Sequence, residues 1–386
     1  MKTLLVFNIL IALLYICSLV SLLTAAGIGE TSCRYLGEME KNGKKCHEDV
    51  VKVHELPPKC TSFVYDGVIC TPSYRIEAKD AMYGLERLQT LLDFDKPAKN
   101  VYLFYSHGGL HDWYDVLSRG NFKLVAQNVQ NFVRRYPVKG LILNEIDFPY
   151  SNEFDGDFHQ NFTDYVNTIR AFNSNLEIGL YLSARTFFAN KPYVFHNETS
   201  IIVNNVTYTE AIGVYYYNWF YFPTMNRIMD FYIIEFYTFN ECTPDLLRTG
   251  ITPLKSSDPF TNSLNNFTAV LKDFDIDKEK LYFEFLISPK PLYYAVDNFT
   301  NCEISYNEYC ENENNKKSKF CADDSEALYQ KGKFTKANAK GFIGMYIDLV
   351  DRDDKCHCGK YMAFDMMVKR YNGETDPKDC EPLRGS

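Results

Sequence analysis

The sequence holds only two tryptophans in 386 residues, Trp113 and Trp219. Indole faces on which a ligand can stack are therefore scarce. No basic stripe is present, and the formal charge is −9. Phosphate binding is driven by clustered Lys and Arg, so nucleic acid is not an expected partner. There is no P-loop, no Ser-His-Asp signature and no setting for a catalytic cysteine. No Gly-rich phosphate loop follows the first strand-like run, which argues against an open dinucleotide-binding sheet, and no cofactor is expected. No internal repeat is visible.

Cysteine and aromatic residues are abundant instead, with 12 Cys, 29 Tyr and 29 Phe. Lys2, the apolar run 4–23 and the small residues Thr24, Ala25 and Ala26 have the order of a cleaved signal peptide over 1–26. The competing reading is a membrane anchor, since about 20 apolar residues span a bilayer. The small-residue site favours cleavage, and no second hydrophobic span follows, so the expected product is secreted and free of membrane. Setting Cys17 aside leaves eleven cysteines for an oxidising compartment, where most should pair and the odd one implies a free thiol or an intermolecular bridge. Cys356, His357 and Cys358 lack zinc-knuckle spacing, and no metal is expected there. His107 and His111 flank Gly108 and Gly109, which reads as a loop rather than as a metal site. Acceptor sequons at Asn161, Asn197, Asn205, Asn266 and Asn298 fit a surface-glycosylated chain.

Short apolar runs alternate with amphipathic segments along the chain. Strands are expected near 32–36, 63–69, 101–105, 140–146, 176–182, 231–237, 281–287 and 342–349. Helical spacing is expected over 77–92, from a cap at Asn121 along Val125, Val129, Phe132 and Val133, and over 162–172. Eight parallel strands joined by crossover helices over about 350 residues predict a (β/α)₈ TIM barrel across 27–386. The irregular region 289–335, with three cysteines, is expected as a disulfide-stapled insertion between strands seven and eight, and 372–386 as an extended tail. The aromatic run 215–222 suits a saccharide groove or core packing.

Several segments in order resemble glycoside hydrolase family 18, the chitinases and chitinase-like lectins. Cys33, Arg34 and Tyr35 followed by Cys60 to Tyr65 resemble the family's first two strands; the resemblance implies a Cys33–Cys60 disulfide. Ser106 to Gly109 resemble its S-x-G-G motif. Gly140 leads into Asp147, Phe148 and Pro149, where the family carries a catalytic carboxylate followed by Tyr-Pro. Asp230 to Tyr237, and Gly341 to Asp351, resemble its sixth and eighth strands. The family's fourth strand reads D-G-x-D-x-D-x-E, and alternate positions share one face of a strand. The Glu protonates the leaving oxygen while the substrate's own N-acetyl group attacks.

This chain departs from that pattern. Anchored on Phe148 and Pro149, the acid position holds Asp147, the assisting position Glu145 and the next inward one Leu143. Anchored on Gly140, the three become Ile142, Asn144 and Ile146. The two frames face opposite ways, and neither supplies a Glu at the acid position. An Asp is a methylene shorter than Glu, and a misplacement of about 1 Å costs roughly a hundredfold in rate. The family's Trp floor is replaced by Met345, and its M-T-Y-D becomes Glu235, Phe236, Tyr237 and Thr238. No separate Cys-rich chitin-binding module follows. The resemblance thus implies a non-enzymatic protein that holds an oligosaccharide of N-acetylglucosamine type near Asp147, Glu145, Tyr237, Glu235, Met345 and Trp113. The alternative is an extracellular factor that binds a protein partner; a third is a chitinase altered to use Glu145 and Asp147.

Overall fold

The computed structural model describes residues 27–37, 40–41, 44–45, 51–94, 99–146, 158–189, 193–194, 201–203, 206–208, 214–215, 222–292, 304–311, 319–374 and 380. Eight strands close into one parallel barrel: β1 (Thr31–Tyr35), β2 (Ser62–Tyr65), β3 (Asn100–Tyr105), β4 (Gly140–Leu143), β5 (Glu177–Ser183), β6 (Phe231–Glu235), β7 (Leu281–Leu286) and β8 (Gly341–Met345). Closure is made by β1 on β8, with Thr31 opposite Phe342. The helices are α1 (Gly84–Asp93), α2 (Leu110–Arg119), α3 (Phe122–Arg135), α4 (Phe158–Phe172), α5 (Ala184–Ala189), α6 (Phe222–Ile228), α7 (Leu264–Leu271), α8 (Tyr306–Glu311), α9 (Ser325–Asn338) and α10 (Met362–Tyr371). Each strand from β2 to β8 is followed by at least one of them. This is the (β/α)₈ TIM barrel that the alternation of apolar and amphipathic runs predicts.

Two cores follow from the two-residue period of the strands. Val64, Tyr102, Phe104, Ile142, Tyr181, Phe231, Ile233, Tyr282 and Ile343 fill the barrel with Ile28. Their neighbours Leu103, Leu141, Leu143, Leu180, Tyr232 and Phe283 face the helices. Burying side chains of this size contributes about 1.5–3 kcal/mol each. Gly179 makes room inside, because a Cβ there would lie 2.0 Å from the Phe231 ring. Phe231 can then lie across the barrel against Tyr102, at a centroid distance of 5.5 Å.

Three local expectations need correcting. Part of the helix expected over 77–92 is a hairpin, in which Val68–Cys70 pairs with Ile76–Ala78, and the helix begins at Gly84. Asn121 precedes α3 but its side chain makes no cap; its amide donates to the Tyr74 hydroxyl at 3.3 Å. The insertion is shorter than 289–335, because Asp324 caps α9 through Ala327 N–H at 2.7 Å and the barrel helix starts at Ser325. Before that cap, Lys290–Pro291 pairs with Phe320–Cys321. Disulfides Cys242–Cys321 and Cys310–Cys356 fasten the insertion to segments after β6 and β8. Cys33 is bonded to Cys60, and Cys358 to Cys380. Cys356 and Cys358 are therefore disulfide sulfurs, not metal ligands. No helix among the described residues is long and apolar enough to cross a membrane.

Candidate functional site at the barrel mouth

In a barrel of this type the ends of the strands and the loops that leave them shape one face. Going up the interior, the apolar layers give way to charge. Arg34 on β1 is buried at the centre. Its Nη2 meets Asp66 at 2.5 Å, and its Nη1 meets Glu284 on β7 at 3.1 Å and the Tyr181 hydroxyl at 3.2 Å. The guanidinium carbon lies 4.0 Å from the Phe104 centroid and 5.4 Å from that of Tyr346. Tyr181 also donates to Glu284. Lys79 closes the set on Asp66 at 2.8 Å.

These groups titrate as their neighbours dictate. Burial alone would raise the Asp66 carboxyl, but Arg34 and Lys79 outweigh it and hold it below its usual value. Burial pushes the Glu284 carboxyl up, and Arg34 with the Tyr181 hydroxyl offsets only part of that. Burial works against the charge of Arg34, yet Asp66 and Glu284 hold it firmly protonated.

Beside this network lies a cleft of about 400 Å³, lined by Arg34, Asp66, Lys79, Phe104, Ser106, Asn144 and Glu145 among others. A cavity of about 440 Å³ lies elsewhere, between α1 and residues 51–54, and contains none of these groups. Strand β4 follows the Gly140 frame: Ile142 is inside the barrel, while Leu141 and Leu143 face the helices. Asn144 then lines the cleft, its carbonyl taking the Trp113 indole N–H at 2.9 Å. Glu145 departs from alternation because its backbone is left-handed, with φ of 60°. Its carboxylate is exposed, lines the cleft and accepts from the Ser106 hydroxyl at 2.5 Å. Ile146 returns to the outer core. Asp147 lies outside the described residues, as do most of the aromatic run 215–222, Trp219, and the sequons at Asn197, Asn205 and Asn298. Asn266 is exposed, and Asn161 is half-buried on α4.

The remaining candidates, Glu235, Tyr237 and Met345, do not line that cleft. Glu235 is buried and accepts from the Thr238 N–H at 3.1 Å and the Thr238 hydroxyl at 2.7 Å. Tyr237 is half-buried, with Lys290 Nζ 4.5 Å from its ring centroid and Tyr346 edge-on at 6.5 Å. Met345 is buried among Leu286, Leu246 and the sulfurs of Cys242 and Cys321, so its thioether is a packing group.

Trp113 does not belong to the site. It is wholly buried, packed edge-on against His107 at 4.6 Å and Tyr165 at 5.6 Å. Its indole is held under the exit of β4 and presents no face to a ligand. His111 is exposed on α2, away from that packing.

Reading the sequence as spacing alone misses Arg34, Glu284, Asp66 and Cys70. A usable signal exists for two of them: single charges, Arg34 and Glu284, sit inside otherwise uncharged strand runs that burial would make costly unless paired. Cys70 is the free cysteine among the described residues. It lines the cleft, with Sγ 3.3 Å from His107 Nδ1 and 3.4 Å from the Tyr105 hydroxyl. His107 Nε2 meets the Tyr165 hydroxyl at 2.8 Å.

Burial pushes the Cys70 thiol up, and the same burial pushes His107 down to about 3, so the imidazole adds no positive charge to favour a thiolate. Iodoacetamide is therefore expected to modify the Cys70 peptide slowly at neutral pH, with a rate that climbs well above the ordinary thiol range. Peptide mass spectrometry follows it, and full labelling within minutes at acidic pH would show the environment to be wrongly understood.

No family profile and no curated protein matches the sequence. Solved structures do match in fold. The immunomodulatory active chitinase TsES1 from Trichuris suis shares 14% identity over 88% of this chain and 99% of its own, with a TM-score of 0.59. The Group IV chitinase of Ostrinia furnacalis shares 14% over 89% and 100%, at 0.57. The GH18 chitinase of Cycas revoluta, solved in complex with (GlcNAc)3, shares 13% over 83% and 94%, at 0.52. The chain thus has the fold of the family 18 chitinases over most of its length.

Proposed function

We propose that this chain is a secreted, non-hydrolytic member of glycoside hydrolase family 18 that binds a saccharide of N-acetylglucosamine type at the barrel mouth. The observation that carries the reading is the course of β4. The inward positions hold Ile142, sealed in the apolar core, and then Asn144. Neither can donate a proton to a glycosidic oxygen. Glu145 is turned out of the strand and hydrogen-bonded to Ser106. Asp147 would have to act alone and from a methylene further back. Among the described residues, Glu284 and Asp66 are committed to Arg34, Glu235 to Thr238, and Asp348 to the backbone N–H groups of Leu36 and Gly37.

Binding asks less than catalysis. The cleft offers hydrogen-bonding groups of both kinds, from Ser106, Asn144, Lys79 and Glu145. The disulfides and the signal-like N-terminus fit export. Turnover of a fluorogenic chitobioside by purified protein is expected to stay at the buffer rate, while calorimetry with chitin oligomers detects binding. Turnover that vanishes in Asp147→Ala would overturn the non-hydrolytic reading.

A second reading, an extracellular factor that binds a protein, draws on Arg34. The barrel axis is occupied by its guanidinium, stacked among Phe104, Tyr181 and Tyr346, rather than by an open aromatic trough. One chitinase of the same fold is described as immunomodulatory. Absence of binding to every chitin oligomer would favour this reading.

A further inference from the structure

We infer that the cleft beside Arg34 prefers an amino sugar whose nitrogen is free, a glucosamine unit rather than its N-acetyl form; this rests on the saccharide reading above. The charges of the mouth carry the inference. Two cations, Arg34 and Lys79, face three carboxylates, Asp66, Glu284 and Glu145. Asp66 takes both cations and Glu284 shares Arg34. Neither cation is paired with Glu145, whose one partner among the described residues is the neutral Ser106 hydroxyl. Glu145 is also the exposed member of the three, and it lines the cleft. A protonated amine brought into the cleft supplies the missing cation, and an acetamide does not.

A second observation points to a polar ligand at the same place. Arg34 borders the cleft, its side chain is 6% exposed, and its buried Nε has no hydrogen-bond partner. A sugar hydroxyl oxygen can accept from it, and such a buried donor gains by being met. Val68 and Phe104 add apolar edges to the cleft lining. The chemistry agrees. In the family's reaction the N-acetyl group is the nucleophile, so hydrolysis demands it. A site that only binds has no such demand.

Calorimetric titration of the full mature protein with chitotetraose and with its fully de-N-acetylated counterpart tests this. At mildly acidic pH and about 0.05 M salt, the glucosamine tetramer is expected to bind about fivefold tighter, the upper end for an exposed ion pair. The preference should shrink at about 0.5 M salt. Glu145→Gln should bind both tetramers alike, while Glu145→Asp should keep part of the preference, with circular dichroism reporting the fold of each. Equal binding of the two by the wild type, or a preference that survives in Glu145→Gln, overturns the inference and leaves the saccharide reading intact. If neither tetramer binds, the saccharide reading fails and this inference with it.

Discussion

Replacing Arg34 by methionine is expected to remove about 3–5 kcal/mol of folding stability, because it leaves charges buried without their partner. The side chains of Arg34 and Asp66 are each 6% exposed and that of Glu284 is 1% exposed, so water does not screen them. Asp66 keeps Lys79, which is half exposed and a weaker anchor. Among the described residues Glu284 keeps the Tyr181 hydroxyl. Methionine fills similar volume over Phe104, so the loss reports charge more than packing.

The deficit should depend on pH, and its sign is fixed by the two carboxylates. Glu284 titrates above its usual value even with Arg34 present, and removing the guanidinium raises it further. A raised carboxyl stabilises at low pH, where it is protonated, and that contribution is lost as pH rises through its folded value. Asp66 is lowered, so in the wild type its contribution is present above the ordinary carboxylate range and lost as pH falls. Both effects make the variant's deficit small in acid and large near neutrality. Urea denaturation at about pH 4 and about pH 8 measures it, and Arg34→Met with Glu284→Gln should recover part of the loss at the higher pH. A single variant as stable as the wild type at the higher pH would mean that the network does not hold the barrel mouth.

The barrel itself was legible, and for a physical reason. A parallel strand buried on both faces reads as a short unbroken apolar run, and eight such runs stand in order. The site was legible only up to Leu143. A two-residue period orients side chains only while the strand continues, and two anchors left both frames open. What decides the matter is the left-handed turn at Glu145, a single-residue event that no alternation encodes. Arg34 went unnoticed for a different reason: Asp66 lies 32 residues away and Glu284 250 residues away, so nothing local shows that its charge is answered. Trp113 looked available because exposure is a tertiary property. The odd cysteine count implied a free thiol or an intermolecular bridge but could not say that Cys70, enclosed by Tyr105 and His107, would be unpaired among the described residues.

Among the bridges of the described residues, Cys242–Cys321 should have most to lose. It closes 79 residues, against 27 for Cys33–Cys60 and 22 for Cys358–Cys380. In the chain-entropy account the first is worth about 4.5 kcal/mol and the other two roughly 3.5 kcal/mol each. Native contacts add to that ranking. Beyond Cys321, Ala322 and Asp324 donate to the carbonyls of Leu247 and Arg248 at 3.3 and 3.1 Å. Asp323 then meets Lys331 of α9 at 2.5 Å, with both side chains at or below 5% exposure. Cutting the bridge frees the segment that delivers Asp323 to that buried lysine, and half the pair left alone is costly. Both sulfurs also share an apolar cluster with Met345 and Leu286, so Tyr237, packed on that cluster, should loosen with them. The Cys242→Ser, Cys321→Ser double variant is therefore expected to lose about 4–5 kcal/mol in urea denaturation, more than the equivalent variant of Cys358 and Cys380. It should also bind saccharide more weakly while its far-ultraviolet circular dichroism stays that of a barrel. A loss smaller than that of the Cys358–Cys380 variant would mean that the segment from Leu247 to Lys331 is held by its hydrogen bonds and ion pair without help from the bridge.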